Sequence, residues 1–176
     1  MQRLKILISS MLNLTKFDNG TIEIHYQLFP IQDLAFRTIL MFESRLEKRN
    51  ITLEGLDSEP VQVWGDPDLI GQVIYNLFEN ATKFVNTGGT ITFTFKDEPN
   101  STSIAIRNTG AGISKEELPK IFERFYKSDD SRSHDKTGLG IGLDITKHIV
   151  RLHKAQISVS SEEGEYTEFM IRLPKK

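Results

Sequence analysis

The sequence predicts one mixed α/β domain, on three observations. A length of 176 residues with 38% apolar side chains holds enough material for one buried core and little for a second. Runs with apolar residues at the helical period alternate along the chain with short runs at period two, so both helices and strands are expected. No apolar run approaches the roughly 20 residues needed to span a bilayer, and no signal peptide opens the chain.

The elements follow in order. Arg3 to Phe17 places Leu4, Ile6, Leu7, Met11, Leu12 and Leu14 at helical spacing and stops at Asp18-Asn19-Gly20. It reads as a helix or the end of one: half of a bundle whose partner is missing, or a docked terminal helix. A strand is expected over Thr21 to Leu28, and then a helix from Gln32 to Lys48 with Leu34, Ala35, Ile39, Phe42 and Leu46 inward. Short strands are expected at Ile51 to Leu56 and at Val61 to Trp64. Asp66-Pro67-Asp68 supplies an N-cap with proline in the first helical position, so a helix starts there, and Gly88-Gly89 ends the region after it. Ile91, Phe93 and Phe95 alternate, as do Ile104 and Ile106, and Pro99-Asn100 turns one strand into the other. Residues 108 to 137 are glycine-containing, charged and irregular, with at most one short helix over Lys115 to Phe125. An irregular stretch of that length inside a domain is usually functional. A last helix is expected from about Leu139 to Leu152, then strands at Gln156 to Ser160 and Tyr166 to Leu173.

Composition removes several functions. A formal charge of −2 with both signs interspersed argues against a nucleic-acid-binding surface. The absence of cysteine rules out a disulfide framework and a thiolate metal site.

Within the helix after Asp66, Asn76, Asn80 and Lys83 fall four and three residues apart and line one narrow stripe. Ile70, Ile74, Leu77, Phe78, Ala81 and Val85 face the other way and serve the core. Two carboxamide oxygens suit a hard cation and a lysine suits a phosphate, which points to a magnesium nucleotide. A solvated helix face is the other reading of the same stripe.

Three further motifs stand in order behind it. Asn108-Thr-Gly110-Ala-Gly112-Ile113 follows a strand, where glycines allow a sharp turn and the close approach of a flat ligand, or simply a tight connection. Ile121-Phe122-Glu123-Arg124-Phe125-Tyr126-Lys127 carries aromatic and basic side chains inside the irregular stretch and, taken singly, reads as a loop anchoring itself to the core. Gly138-Leu139-Gly140-Ile141-Gly142-Leu143 opens a helix, whose free N–H groups and positive dipole end suit an anion. Flexible-loop glycines are the alternative. The run is neither a dinucleotide fingerprint nor a P-loop, since Leu143 stands where a small residue belongs and no Lys-Ser/Thr follows.

Together and in this order the four motifs resemble the N, G1, F and G2 boxes of the ATP-binding domain of bacterial sensor histidine kinases, in the GHKL ATPase superfamily. The resemblance covers essentially the whole chain. It implies a two-layer α/β sandwich, one mixed sheet covered by three helices, with a mobile lid over residues 114 to 137. It divides the chain into residues 1–19, the end of the second dimerisation helix and linker, and residues 20–176, the catalytic domain. By the same resemblance Asn80 coordinates Mg²⁺ with Asn76 close to the ion or its water, Lys83 contacts phosphate and Phe84 flanks the base. Asn108, Gly110, Gly112 and Ile113 receive the adenine, Gly138, Leu139, Gly140, Gly142 and Leu143 the phosphates, and Arg124, Tyr126 and Lys127 belong to the lid. The implied cofactors are ATP and Mg²⁺. The implied partners are the dimerisation and phosphoacceptor domain of the same kinase and a response regulator, within a homodimer anchored in the bacterial inner membrane, this part being cytoplasmic.

Two departures matter. The family's G1 box usually begins with Asp, and Asn108 replaces it. That loses charge assistance of about 1 kcal/mol toward the adenine amino group, and the amide NH₂ could instead face a guanine carbonyl. Tyr166 occupies a usual glycine position in Gly164-Glu165-Tyr166-Thr167. The phosphoacceptor sequence is also missing. His134-Asp135-Lys136-Thr137 only imitates it, and His25, His148 and His153 read as structural. An ATP-hydrolysing clamp of the same superfamily would need a general-base carboxylate, and Glu79 lies about 100° from the Asn stripe. A degenerate nucleotide-sensing or docking domain would be excluded by Mg-dependent ATP binding together with phosphorylation of a supplied dimerisation domain.

Overall fold

The computed structural model describes residues 22–127 and 140–176. The N-terminal helix over Arg3 to Phe17, the boundary at residues 19 and 20, His134, Gly138, Leu139 and residues 128–137 of the expected lid lie outside the described residues. The elements are β1 (Gln27–Pro30), α1 (Ile31–Lys48), β2 (Thr52–Glu54), β3 (Gln62–Gly65), α2 (Pro67–Phe84), β4 (Thr90–Asp97), β5 (Ser101–Thr109), α3 (Gly142–Leu152), β6 (Gln156–Glu162) and β7 (Tyr166–Pro174). Five strands form one sheet in the order β2-β4-β5-β7-β6. Only β2 runs parallel to its neighbour β4, and the remaining pairs are antiparallel.

Strand alternation divides this sheet into two faces. Ile91, Phe93, Phe95, Ile104, Ile106, Phe169, Ile171 and Leu173 are buried on one face. Ala35, Phe42 and Leu46 of α1, Ile74, Leu77 and Phe78 of α2, and Ile145 and Ile149 of α3 join them in one core. Phe78 is fully buried, its ring 5.4 Å edge-on from Phe42 and 5.5 Å from Phe93. The other face carries Thr92, Thr94, Arg107 and Met170, which keep some exposure. Helices therefore cover one face only, giving the two-layer sandwich.

The helix bearing the stripe is capped at both ends. Asp66 accepts from the N–H groups of Asp68 at 3.0 Å and Leu69 at 3.1 Å, with Pro67 in the first turn; such a cap stabilises by about 1 kcal/mol. At the far end the Arg49 guanidinium donates to the carbonyls of Thr82 and Val85, satisfying acceptors the last turn leaves unpaired.

Three expectations change, and the stretch expected to hold at most one short helix resolves into turns. The strand expected over Thr21 to Leu28 is shifted to Gln27–Pro30 and pairs with β3 in a separate two-stranded sheet, because β1 runs directly into α1 through Pro30. The strand expected over Ile51 to Leu56 shortens to Thr52–Glu54, and Gly55 beyond it has φ of 78°. Lys115 to Phe125 forms successive turns rather than a helix, through bonds such as Lys120 N–H to Glu117 O at 2.8 Å and Glu123 N–H to Lys120 O at 2.9 Å; Pro119 lacks the donor a helix needs there. The last helix starts at Gly142, since Gly140 has φ of 67°. Among the described residues no helix is long and apolar enough to cross a membrane.

Candidate functional site

The stripe on α2 divides into three environments. Asn76 is 7% exposed, and its Nδ2 donates to the carbonyl of Gly142 at 3.0 Å and lies 3.4 Å from Thr146 Oγ1. This side chain joins the middle of α2 to the first turn of α3. Asn80, one turn later, is half-buried, and its amide bonds to no described residue, so its oxygen is open to a ligand. Lys83 Nζ lies 3.4 Å from Glu79 Oε2 on the same helix face, both side chains about four-fifths covered.

Asn108, the residue before the last of β5, is 4% exposed, and its Nδ2 donates to Thr109 O at 3.1 Å. The following loop is held from both sides. A Cβ on Gly110 would stand 2.2 Å from the carbonyl oxygen of Phe84, and one on Gly112, at φ of 71°, would stand 2.2 Å from that of Glu162. Gly110 N–H donates to Glu165 O at 3.0 Å, and Ile113 N–H donates to Ser161 Oγ at 2.8 Å. These glycines are required by protein packing between the end of α2 and the β6–β7 hairpin, whatever they also do for a ligand. Tyr166 stands on the face opposite the buried Thr167 and carries the Arg107 guanidinium 3.7 Å from its ring centre. It therefore points away from the helices.

The aromatic segment leans on α3. Phe122 meets Phe169 edge-on at 6.2 Å, and Tyr126 Oη lies 3.3 Å from Glu117 Oε1. Arg124, expected as a lid contact, places Nε 2.8 Å from Asp144 Oδ2, a carboxylate on a buried residue of α3. Sequence reasoning missed Asp144 and Thr146, the two α3 residues that hold Arg124 and Asn76; their place in the first turns after Gly142 was the available signal. Lys127 and Leu143 are half-buried.

Gly140 has φ of 67° and lies 2.8 Å, as a notional Cβ, from Tyr126 O. Gly142 differs: a Cβ there would meet only Asn76, at 3.7 Å or more. As the first residue of α3 it presents an N–H without an intrahelical partner at the positive end of the dipole. Gly142→Ala is therefore expected to melt at or above the temperature of the parent, alanine being favoured in helices by about 1 kcal/mol. If an anion seats there, calorimetric affinity for Mg-ADP falls by about tenfold, a loss of 1.4 kcal/mol. Unchanged affinity would place the phosphates elsewhere.

Asn76 bonding Gly142 thus brings the amide stripe and the glycine-opened helix against each other, while Asn108 lies in the sheet layer, buried near the end of β5. The family described as histidine kinase-, DNA gyrase B- and HSP90-like ATPase matches residues 65–176. The sensor protein SrrB of Staphylococcus aureus is 32% identical over 175 residues, covering 99% of this chain and 30% of that protein. The chain thus spans under a third of the length of the curated relatives it matches. The nucleotide-free catalytic domain of histidine kinase ThkA is 28% identical with a TM-score of 0.74, over 86% of this chain and 96% of that one. ThkA in complex with the response regulator protein TrrA gives a TM-score of 0.76 at 24% identity, over 99% of this chain and 49% of that one, and shows the fold. The chain belongs to the histidine kinase-, DNA gyrase B- and HSP90-like ATPase family, as a catalytic ATP-binding domain of the sensor histidine kinase type.

Proposed function

We propose that this domain holds Mg-ATP between α2 and α3 and donates its γ-phosphoryl group to a histidine on a dimerisation domain, with residues 1–19 as the end of that domain's second helix. The observation that supports the reading is the Asn76 to Gly142 bond, which sets an amide stripe suited to a cation beside a helix start suited to an anion. Among the described residues no three His, Asp or Glu side chains gather as a metal cage. A cation here must bring most of its oxygen ligands with it, as Mg²⁺ does with nucleotide phosphates and water. Asn80 would hold it, with the oxygen of Asn76 next to it. A bound Mg²⁺ supplies charge neutralisation at the phosphates.

Phosphoryl transfer asks a protein for positioning and charge stabilisation rather than covalent chemistry. The N–H groups opening α3 orient the phosphates, Lys83 adds positive charge, and the loop from Asn108 to Ile113 with Phe84 seats the base. Two of the described histidines have their rings engaged: His148 Nδ1 lies 2.9 Å from Asp144 O, and His153, 3% exposed, has both ring nitrogens in hydrogen bonds. His25 is exposed and is not followed by a phosphoacceptor sequence. Labelled ATP is expected to leave no acid-labile phosphate on this chain alone, and to phosphorylate a dimerisation domain supplied separately. Failure of the second arm would defeat the proposal. The whole protein is then a membrane-anchored homodimer that passes phosphate to a response regulator.

Asn108 bears on base selectivity. Its NH₂ already meets the Thr109 carbonyl, which leaves Oδ1 to accept from an adenine amino group, as a carboxylate would. Turning the amide to donate to guanine would set two carbonyl oxygens against each other. Asn108→Asp adds roughly 1 kcal/mol of charge assistance toward the adenine amino group but sets its second carboxylate oxygen against Thr109 O, where Nδ2 now donates, so no net tightening of ADP binding is expected. The ADP/GDP ratio stays on the side of adenine in both proteins. Calorimetry with the two nucleotides decides it, and equal GDP and ADP affinity in the parent would refute this orientation.

A further inference from the structure

His153 plays no part in the site above, yet it lies 3% exposed between the two helices that build it. Its Nδ1 stands 2.9 Å from Ile149 O. A carbonyl only accepts, so the ring's proton is on Nδ1, and Nε2 is then free to accept from the Asp66 N–H at 3.1 Å. One neutral imidazole thus links the C-terminal end of α3 to the N-cap of α2. Asp66 lies 14 residues before Asn80, about 21 Å along the axis, and His153 lies 11 residues after Gly142, about 16 Å. The link is therefore at the pole remote from the proposed nucleotide.

The incoming segment closes on the same pole. Asp66 Oδ1 caps α2, while Oδ2 accepts from the His25 N–H at 2.9 Å. Tyr26 stands edge-on to the His153 ring at 5.5 Å, stacks on Trp64 at 5.9 Å, and directs its hydroxyl toward Leu152 O at 3.5 Å. Trp64 carries Lys176 Nζ 4.5 Å from its ring centre. A Cβ on Gly65 would meet Ile70 Cδ1 at 2.3 Å and the His153 ring at 3.3 Å, so β3 lies flush against the imidazole. Little slack is left at this junction.

We infer that His153 is a positioning residue for phosphoryl transfer: it fixes the pole ends of α2 and α3 to each other and, through Asp66 and Tyr26, to the segment that follows residues 1–21. The inference rests on the nucleotide reading above. The helices are tied at two levels, by Asn76 to Gly142 and Thr146 near the nucleotide and by His153 at the pole. Phosphate uptake at the start of α3 acts on a short stiff helix in a close-packed interior, and a displacement at one end is carried to the other. By linkage, the setting of the incoming segment alters nucleotide affinity by the same factor.

Trp64 is the chain's one tryptophan and reads this junction directly. In a titration with Mg-ADP, its emission is expected to change saturably with the midpoint found by calorimetry. His153→Phe keeps a ring and removes both hydrogen bonds. It should retain calorimetric binding and lose the emission change, with kcat toward a supplied dimerisation domain about tenfold lower, a modest misplacement effect, and KM for ATP unmoved. His153→Gln, whose amide oxygen can still accept from Asp66, should keep the signal. Should His153→Phe fail to fold, Tyr26→Ala at the surface is expected to lose the change likewise. Calorimetric binding with a silent Trp64 in the parent, or an undiminished signal in either variant, overturns the inference. Absence of calorimetric binding in the parent removes the nucleotide reading itself and this inference with it.

Discussion

Asn80→Ala is expected to abolish the Mg²⁺ dependence of ADP binding and to lower phosphorylation of a supplied dimerisation domain by about 10²- to 10³-fold. Loss of one preorganised charge-stabilising group costs about 2.7–4 kcal/mol in comparable sites. The expectation is specific to Asn80 because its amide engages no described side chain or backbone group, whereas Asn76 is engaged with α3. Alanine has the higher helix propensity and Asn80 is only half-buried, so the melting temperature should hold. ADP titrations with Mg²⁺ and with chelator, beside a thermal melt, separate the two effects. A variant that keeps the parent's Mg²⁺ dependence would move the cation to another ligand, with the Asn76 oxygen next to be tested.

Gly110→Ala is expected to fail through stability. The new methyl would stand 2.2 Å from Phe84 O and 3.2 Å from its carbonyl carbon, and backbone atoms cannot rotate away as a side chain can. Overpacking of this kind costs about 1–3 kcal/mol, a sizeable part of a typical total of about 5–15 kcal/mol. At roughly 2–4 °C per kcal/mol for a chain of this size, the melt should fall by about 2–12 °C. The Gly142 variant should not fall at all. A Gly110→Ala protein that melts normally and loses only nucleotide affinity would return this glycine to the ligand.

Much of the fold was legible because its signals are local. Asp66 and Pro67 announced the start of α2, and the residues assigned to its apolar side, Ile70 through Val85, are buried. Period-two alternation named the inward side chains of β4 and β5 correctly. Lys115 to Phe125, where at most one short helix was expected, forms turns, since Pro119 lacks the donor a helix needs. β1 was misplaced because its partner, β3, lies more than thirty residues on, and nothing in residues 21–28 records that pairing.

By itself the sequence determined which residues share a stripe or a face and in what order the four motifs come, because helical and strand periods are set by neighbours a few bonds away. Only the tertiary structure decided what each polar or glycine residue is engaged in. Asn76 is held by a carbonyl 66 residues distant, Arg124 by Asp144, and Gly110 by the carbonyl of Phe84, while Asn80 remains open. Whether a polar group meets protein or ligand depends on which distant atom closes over it, and that is a property of long-range packing, which no local period encodes.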